Sequence, residues 1–206
     1  MKKVNGFWLP SSDTYFIDKP NYEIKETGMV LRVVDKFRTA IDVGAHCGYW
    51  SQRLSKIFEN VLAIEPVDEH FACLEKNTEG LKNVKNINAA ASNFHGTVNL
   101  EVSSDNSGMS KVVGTDLELP SSSQNIKTVI IDDFDLNDID FIKIDVEGYE
   151  KNVLRGCLKT LKRCKPVLLV EINNNYNDVA SLLTPLGYHM VLKNKYNYIW
   201  KYKRGG

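Results

Sequence analysis

The chain has 206 residues, room for one α/β domain with a modest extension, and 43% of them are hydrophobic, enough to enclose a real core. Lysine and arginine total 26 and aspartate and glutamate total 26, so the basic excess of a protein that coats nucleic acid is missing. No apolar run approaches the length of a membrane span, and the Met1-Lys2-Lys3 start is not followed by the apolar stretch of a secretion signal.

Residues 1–20 are aromatic and turn-rich and predict no regular element. Residues 21–36 have mixed helical character and predict a leading helix, so 1–36 is expected as a lead segment and 37–206 as the main domain. Ala40-Ile41-Asp42-Val43 is a short apolar run ending at a glycine, as a buried parallel strand does. Trp50, Leu54, Ile57 and Phe58 follow at helical spacing, and residues 61–64 form a second buried run stopped by Glu65-Pro66. Phe71, Leu74, Thr78 and Leu81 mark one face of a second helix, and residues 84–91 predict a third strand. Such βαβαβ alternation implies a parallel sheet with right-handed crossovers. Residues 96–102 and 126–131 predict strands on either side of a long polar loop, 103–124, whose first part, 103–115, is expected either to close over the site or to be a surface excursion. Residues 141–145 predict a strand, and Val153, Leu154, Cys157, Leu158 and Leu161 a helix face. Residues 166–172 predict the most apolar strand, 179–184 a helix, and 187–192 with 196–202 a terminal antiparallel hairpin. Lys193, Lys195, Lys201, Lys203 and Arg204 read as a solvated hairpin face. The cysteines at 47, 73, 157 and 164 form no CxxC pair and have no histidine at ligand spacing, so zinc is not expected and reduced thiols in a cytosolic compartment are the simplest reading.

The chemistry concentrates at strand ends. The first core strand runs into Gly44-Ala45-His46-Cys47-Gly48, a glycine turn opening a helix, which lets backbone approach a ligand closely. A dinucleotide fingerprint needs a glycine where His46 stands, and no Gly-Lys-Ser/Thr of a P-loop is present. Glu65, ending the next strand, can accept hydrogen bonds from both ribose hydroxyls of an adenosine, and Asp42 can face the positively charged amino or sulfonium end of S-adenosylmethionine. Asp145 and Glu147 end a later strand, where they would face the same cleft, bind a hydroxyl and shift each other's pKa; a plain helix start rich in acid is the alternative. As the base for an alcohol acceptor, Asp145, Glu147, His46 and His70 rank in that order, with His46 also readable as a helix-start contact and His70 as a surface residue. Asp145, Glu171 and Asn173, at adjacent strand ends, could offer oxygens to a divalent ion, with Glu171 equally readable as a structural hydrogen-bond acceptor near the cleft floor; no metal is assigned.

Glu65 and the glycine loop together resemble class I S-adenosylmethionine-dependent methyltransferases. IDVGAHCGYWS, LAIEPVDEHFACLEKN, AAASNFHG, DNSGMS, DFIKIDVEGYEKNVLRG and PVLLVEIN occur in the order seen in FkbM-type methyltransferases, over roughly residues 40–173. The resemblance implies an α/β Rossmann-like sheet of seven strands, mostly parallel, with a C-terminal antiparallel hairpin. It implies S-adenosylmethionine as donor and, commonly, a hydroxyl of a sugar or other small molecule as acceptor. Asp42, Gly44, Ala45, His46 and Gly48 fall in the donor loop, Glu65 and Pro66 at the ribose, Ala90, Ala91 and Ser92 near the adenine, and Asp145 and Glu147 at the acceptor side. His46 stands where the family often has asparagine. A nicotinamide-dependent oxidoreductase and a catalytically silent adenosyl-binding domain are the competing readings.

Overall fold

Val4-Asn5-Gly6-Phe7 carries an Asn-Gly turn signal, and the chain opens on the hairpin this signal encodes: β1 (Lys2–Val4) pairs antiparallel with β2 (Phe7–Leu9). Asn5 and Gly6 take φ of 51° and 86°, the left-handed pair that a two-residue hairpin needs. This corrects the expectation of an irregular start, which overlooked the dipeptide. The computed structural model describes residues 1–19, 21–101, 111–113 and 123–203, with 111–113 and 123 as backbone alone.

The leading helix is α1 (Ile24–Leu31), shorter than expected. Strands β3 (Thr39–Val43), β4 (Asn60–Ile64) and β5 (Val84–Ile87) alternate with α2 (Tyr49–Leu54) and α3 (Asp68–Asn77). Then come β6 (Ala90–Ala91), β7 (Thr97–Glu101), β8 (Lys111–Val113) and β9 (Ser123–Val129), which form a separate four-stranded sheet in the order β6-β9-β7-β8. The chain continues through β10 (Ile139–Ile144), α4 (Glu150–Arg155), α5 (Leu158–Cys164), β11 (Val167–Glu171), α6 (Tyr176–Leu183), β12 (Tyr188–Asn194) and β13 (Asn197–Tyr202). The main sheet runs β12-β13-β11-β10-β3-β4-β5 and is parallel except at β13, which is antiparallel to both neighbours. The expected seven-stranded α/β sheet with its reversed hairpin is thus present.

Three expectations change. Residues 84–91 are two strands, because Asn88 turns away between them and its Nδ2 donates to Glu65 O at 3.2 Å, while β6 pairs with β9 in the second sheet. The helix face from Val153 to Leu161 is split between α4 and α5 at Gly156, whose backbone is pressed so close to Ser92 that a Cβ would stand 1.9 Å from that residue's carbonyl oxygen. Within the expected 103–124 loop, residues 111–113 are strand β8; most of the rest, including DNSGMS, lies outside the described residues.

The core has two layers. On one face Ile41, Val43, Ile142, Ile144, Leu168 and Val170 meet the helices α4 to α6 through Val153, Leu154, Leu161, Val179 and Leu183. On the other, Ala40, Phe141, Leu169 and Ile199 meet Val30 of α1 and Trp50 and Leu54 of α2. Each fully buried Val, Leu, Ile or Phe among them contributes about 1.5–3 kcal/mol. Alternation along a strand keeps i and i+2 on one face. The second face therefore turns from apolar to charged at the carboxyl ends: Ala40 gives way to Asp42, Phe141 to Lys143 and then Asp145, and Leu169 to Glu171. Registers Asp42↔Lys143 and Lys143↔Leu169 set these groups side by side.

Candidate active site

The turn after β3 is held by the strands beside it. Gly44 N and Ala45 N both donate to Ile64 O, at 3.0 and 3.1 Å, and Asp145 N donates to Val43 O at 3.1 Å. Gly44, His46 and Gly48 take φ of 76°, 51° and 92°. Histidine and asparagine are both enriched in the left-handed region, which accounts for a histidine where the family often has asparagine. His46 N donates to Glu65 Oε2 at 2.8 Å and Val67 N to Glu65 Oε1 at 3.0 Å, so two backbone donors aim the carboxylate that ends β4. His70 Nδ1 lies 3.4 Å from Glu65 Oε1, and the His46 and His70 rings stand 4.3 Å apart. His70 is 3% exposed, which corrects its reading as a surface residue: the helix turn it shares with Cys73 and Leu74 faces inward.

These groups line a cavity of about 960 Å³, its open mouth included, at the carboxyl ends of β3, β4, β10 and β11. In open α/β sheets ligands bind there. Gly44, Ala45, His46, Glu65, Pro66, Ala90, Ala91, Asp145 and Glu147 all border it. Asp42, Gly48 and Ser92 do not. Asp42 is wholly buried, accepting from Ser51 Oγ at 2.7 Å, and stands behind Lys143, whose Nζ is 4.0 Å from its other oxygen. Gly48 is packed against Leu74, and Ser92 Oγ is 3.1 Å from the Tyr149 hydroxyl, which does border the cavity.

Lys143 is the residue to which sequence reasoning gave no role. It is 3% exposed and its Nζ bonds Asp145 Oδ2 at 2.8 Å. Burial pulls its pKa down, but Asp145, Asp42 and Glu23 outweigh that and hold it charged above the usual lysine range. A lysine at an inward position of an otherwise apolar strand was the signal available. Also unforeseen were Tyr22 and Glu23, which border the cavity from the N-terminal side with Phe16. Glu23 sits at φ 53° just before α1, and accepts from Trp50 Nε1 at 2.6 Å and Asn197 Nδ2 at 3.3 Å. The Phe16 ring lies 4.9 Å from that of His46, tilted by 40°, whereas its neighbour Tyr15 is 44% exposed.

Glu147 is aimed by strain: it takes φ 49° and Gly148 follows at 98°, with Asn173 Nδ2 3.3 Å from Glu147 Oε2. Burial, then Asp145 and Glu150, push its pKa up to about 7. Burial and the adjacent Asp145 push Glu171 up to about 9. Both therefore bind a proton more tightly folded than unfolded, where the ordinary value of 4.5 applies. Their contribution to stability is complete below that value and is lost as pH rises through 7 and 9. The thermal midpoint of the ligand-free protein is expected to fall between about pH 5 and pH 9. Glu171→Gln should flatten the upper part of that fall; an unchanged slope in thermal melts would contradict it. Among the described residues no three His, Cys, Asp or Glu side chains are grouped to hold a metal ion.

A family model, the methyltransferase FkbM domain, matches residues 42–191. The chain belongs to this family. That removes the oxidoreductase reading. The fold is also similar to the solved FkbM methyltransferase of Methylobacillus flagellatus KT, with TM-score 0.59 and 18% identity, over 95% of this chain and 48% of that one. The chain thus spans about half the length of that protein. A precorrin 8W decarboxylase of Methanobacterium thermoautotrophicum gives TM-score 0.55 and 15% identity, over 98% of this chain and 99% of its own. The precorrin-6y C5,15-methyltransferase of Geobacter metallireducens GS-15 gives 0.53 and 12%, over 94% and 96%. At these identities the likeness is one of fold, the Rossmann-like sheet of class I methyltransferases. No curated protein matches the sequence. No helix among the described residues is long and apolar enough to cross a membrane.

Proposed function

We propose that this FkbM-family domain binds S-adenosylmethionine and transfers its methyl group to a hydroxyl oxygen of a small-molecule acceptor such as a sugar. The observation that carries the reading is Glu65, a buried carboxylate fixed by two backbone donors at the cavity edge beside the glycine turn. A carboxylate offers about four acceptor sites; the backbone uses two, and the others suit a vicinal ribose diol. The residues fit an adenosyl group in other ways. Ala89, Ala90 and Ala91 give a wall of small side chains for a flat base, and Asp145, with the carboxyls of Glu147 and Glu171 that a bound cation would ionise, gives an acidic end for an ammonium and a sulfonium. The donor, when bound, supplies a methyl group already activated by positive charge.

Asp145 and Glu147 are the groups we assign to the acceptor side. Lys143 fixes Asp145, and the left-handed turn fixes Glu147, so both are positioned before an acceptor arrives. Alignment of nucleophile and methyl carbon can be worth roughly 7–11 kcal/mol, and here the rigid strand ends provide it. The test is calorimetry with S-adenosylmethionine and S-adenosylhomocysteine, followed by labelled-methyl transfer to a panel of sugars and hydroxylated metabolites. Failure of both adenosyl ligands to bind would sink the reading. Binding without transfer to any hydroxyl compound would favour the silent-domain reading. Glu65→Gln is expected to weaken the homocysteine ligand about 10- to 100-fold, the worth of one or two hydrogen bonds to a charged group. Equal affinity in that variant would remove Glu65 from the donor site.

A further inference from the structure

Among the described residues five carboxylates border the cavity, those of Glu23, Glu65, Asp145, Glu147 and Glu171, against one lysine. That lysine is committed: Lys143 bonds Asp145 and faces Asp42 behind it. Glu65 is held by two backbone donors, with His70 3.4 Å away, and Glu23 by Trp50 and Asn197. Glu147 and Glu171 are left, and among the described residues neither has an ion-pair partner within bonding distance. Glu171 ends β11 next to the β10 end that carries Asp145, since Ile144 is in register with Val170. It is faced by Lys143 and Asp145 from β10, by Glu147 from the turn that follows, and by Tyr22 and Glu23 from the start of α1. Glu147 is faced by Asp145, Glu150 and Lys143, and by Glu171. His46 and His70 border the cavity from the side of β4.

We propose that Glu171, with Glu147, gives up a proton when the positively charged methyl donor binds, and takes one back from the acceptor hydroxyl during methyl transfer. The proposal rests on the donor reading above. In the free protein Glu171 holds its proton at neutral pH and Glu147 shares one, because burial and Asp145 disfavour further negative charge. A cation placed among them reverses that preference and Glu171 ionises. The ionised carboxylate is then the base. The acceptor O–H bond breaks and its proton goes to the Glu171 carboxylate. The oxygen pair forms the bond to the methyl carbon, and the carbon–sulfur bond breaks with its electron pair left on sulfur. The thioether product is neutral and Glu171 is neutral again. The net charge of the cavity is the same at rest, with donor bound, and after transfer. Donor and product are distinguished by charge, so a proton on Glu171 favours the neutral product, and its release is what lets the site take up fresh donor.

The test needs no acceptor. Binding heats are measured at neutral pH, where the donor's α-amino group is still mostly protonated, in buffers of different ionisation enthalpy. S-adenosylmethionine is expected to release at least about half a proton more than S-adenosylhomocysteine, and its affinity relative to the product should rise with pH, by at most about tenfold per pH unit for each proton released. Glu171→Gln is expected to remove most of the difference and the double variant with Glu147→Gln the rest. Equal proton counts for the two ligands in the unaltered protein would overturn the proposal while leaving the donor reading intact. A proton difference that survives in the folded double variant would also overturn it. If neither ligand binds, the donor reading itself fails.

Discussion

Gly44→Ala is expected to leave little stably folded protein. The residue has φ 76°, and a Cβ there would stand 1.8 Å from Asp145 O and 2.9 Å from the carbonyl carbon. The left-handed backbone alone costs an alanine about 1–2 kcal/mol. The larger cost is the contact with backbone. Relief requires the ends of β3 and β10 to part by more than an ångström, which breaks the Asp145 N to Val43 O bond and disturbs the Gly44 N bond to Ile64 O. We expect a loss above about 4 kcal/mol, a large share of the 5–15 kcal/mol that holds a typical domain together. Gly148→Ala is the control. Its φ is also positive, at 98°, but a Cβ there would meet nothing within 4 Å, so its loss should stay near 1–2 kcal/mol. Urea titrations of the two variants measure the difference; equal losses would show that strain at φ, and not the strand contact, decides. A bulky replacement at Gly44 would abolish ligand binding for the same reason, without testing any contact to a ligand.

Lys143→Met is expected to cost about 3–5 kcal/mol, the usual consequence of removing one partner from buried charges. Asp42 is wholly buried with one oxygen that has no hydrogen-bond donor, and Lys143 is the cation that faces it. Methionine fills the same volume and leaves Asp42 and Asp145 in a low dielectric without that cation. Adding Asp42→Asn should recover part of the loss, because the uncompensated charge goes with it. A double-mutant cycle in urea measures the coupling. Additive losses would mean that Lys143 is held by Asp145 alone.

Much of the fold was legible because buried parallel strands are written as uninterrupted apolar runs. The runs at 40–43, 61–64 and 166–172 correspond to β3, β4 and β11, which meet the cavity at Gly44, Glu65 and Glu171. The split at Asn88 was not legible, since the break depends on a side chain that bonds across to β4 rather than on local propensity. The split at Gly156 depends on the approach of Ser92, more than sixty residues away in sequence. At the site, Gly44, Glu65, Asp145 and Glu147 lie where a strand-end argument places them. Asp42 shows the limit of that argument. Its position on the strand was right, but period-2 geometry sets it on the same face as Lys143, one strand away, and the lysine stands between it and the cavity. Tyr22 and Glu23 had no local signature, because their role arises from how α1 docks against Trp50 and Asn197.

The N-terminal hairpin bears on how this protein can be cut. Asn77, at the end of α3, accepts from Trp8 N at 2.7 Å and donates to Trp8 O and Cys47 O, both at 2.8 Å. One side chain thus does for β2 what a neighbouring strand would do, and ties it to the glycine turn through the same amide. An expression boundary drawn at residue 37, where sequence pattern alone would start the sheet domain, would strip Asn77 of two of these three partners and remove Phe16, Tyr22 and Glu23 from the cavity wall. The smallest fragment worth producing begins at the hairpin.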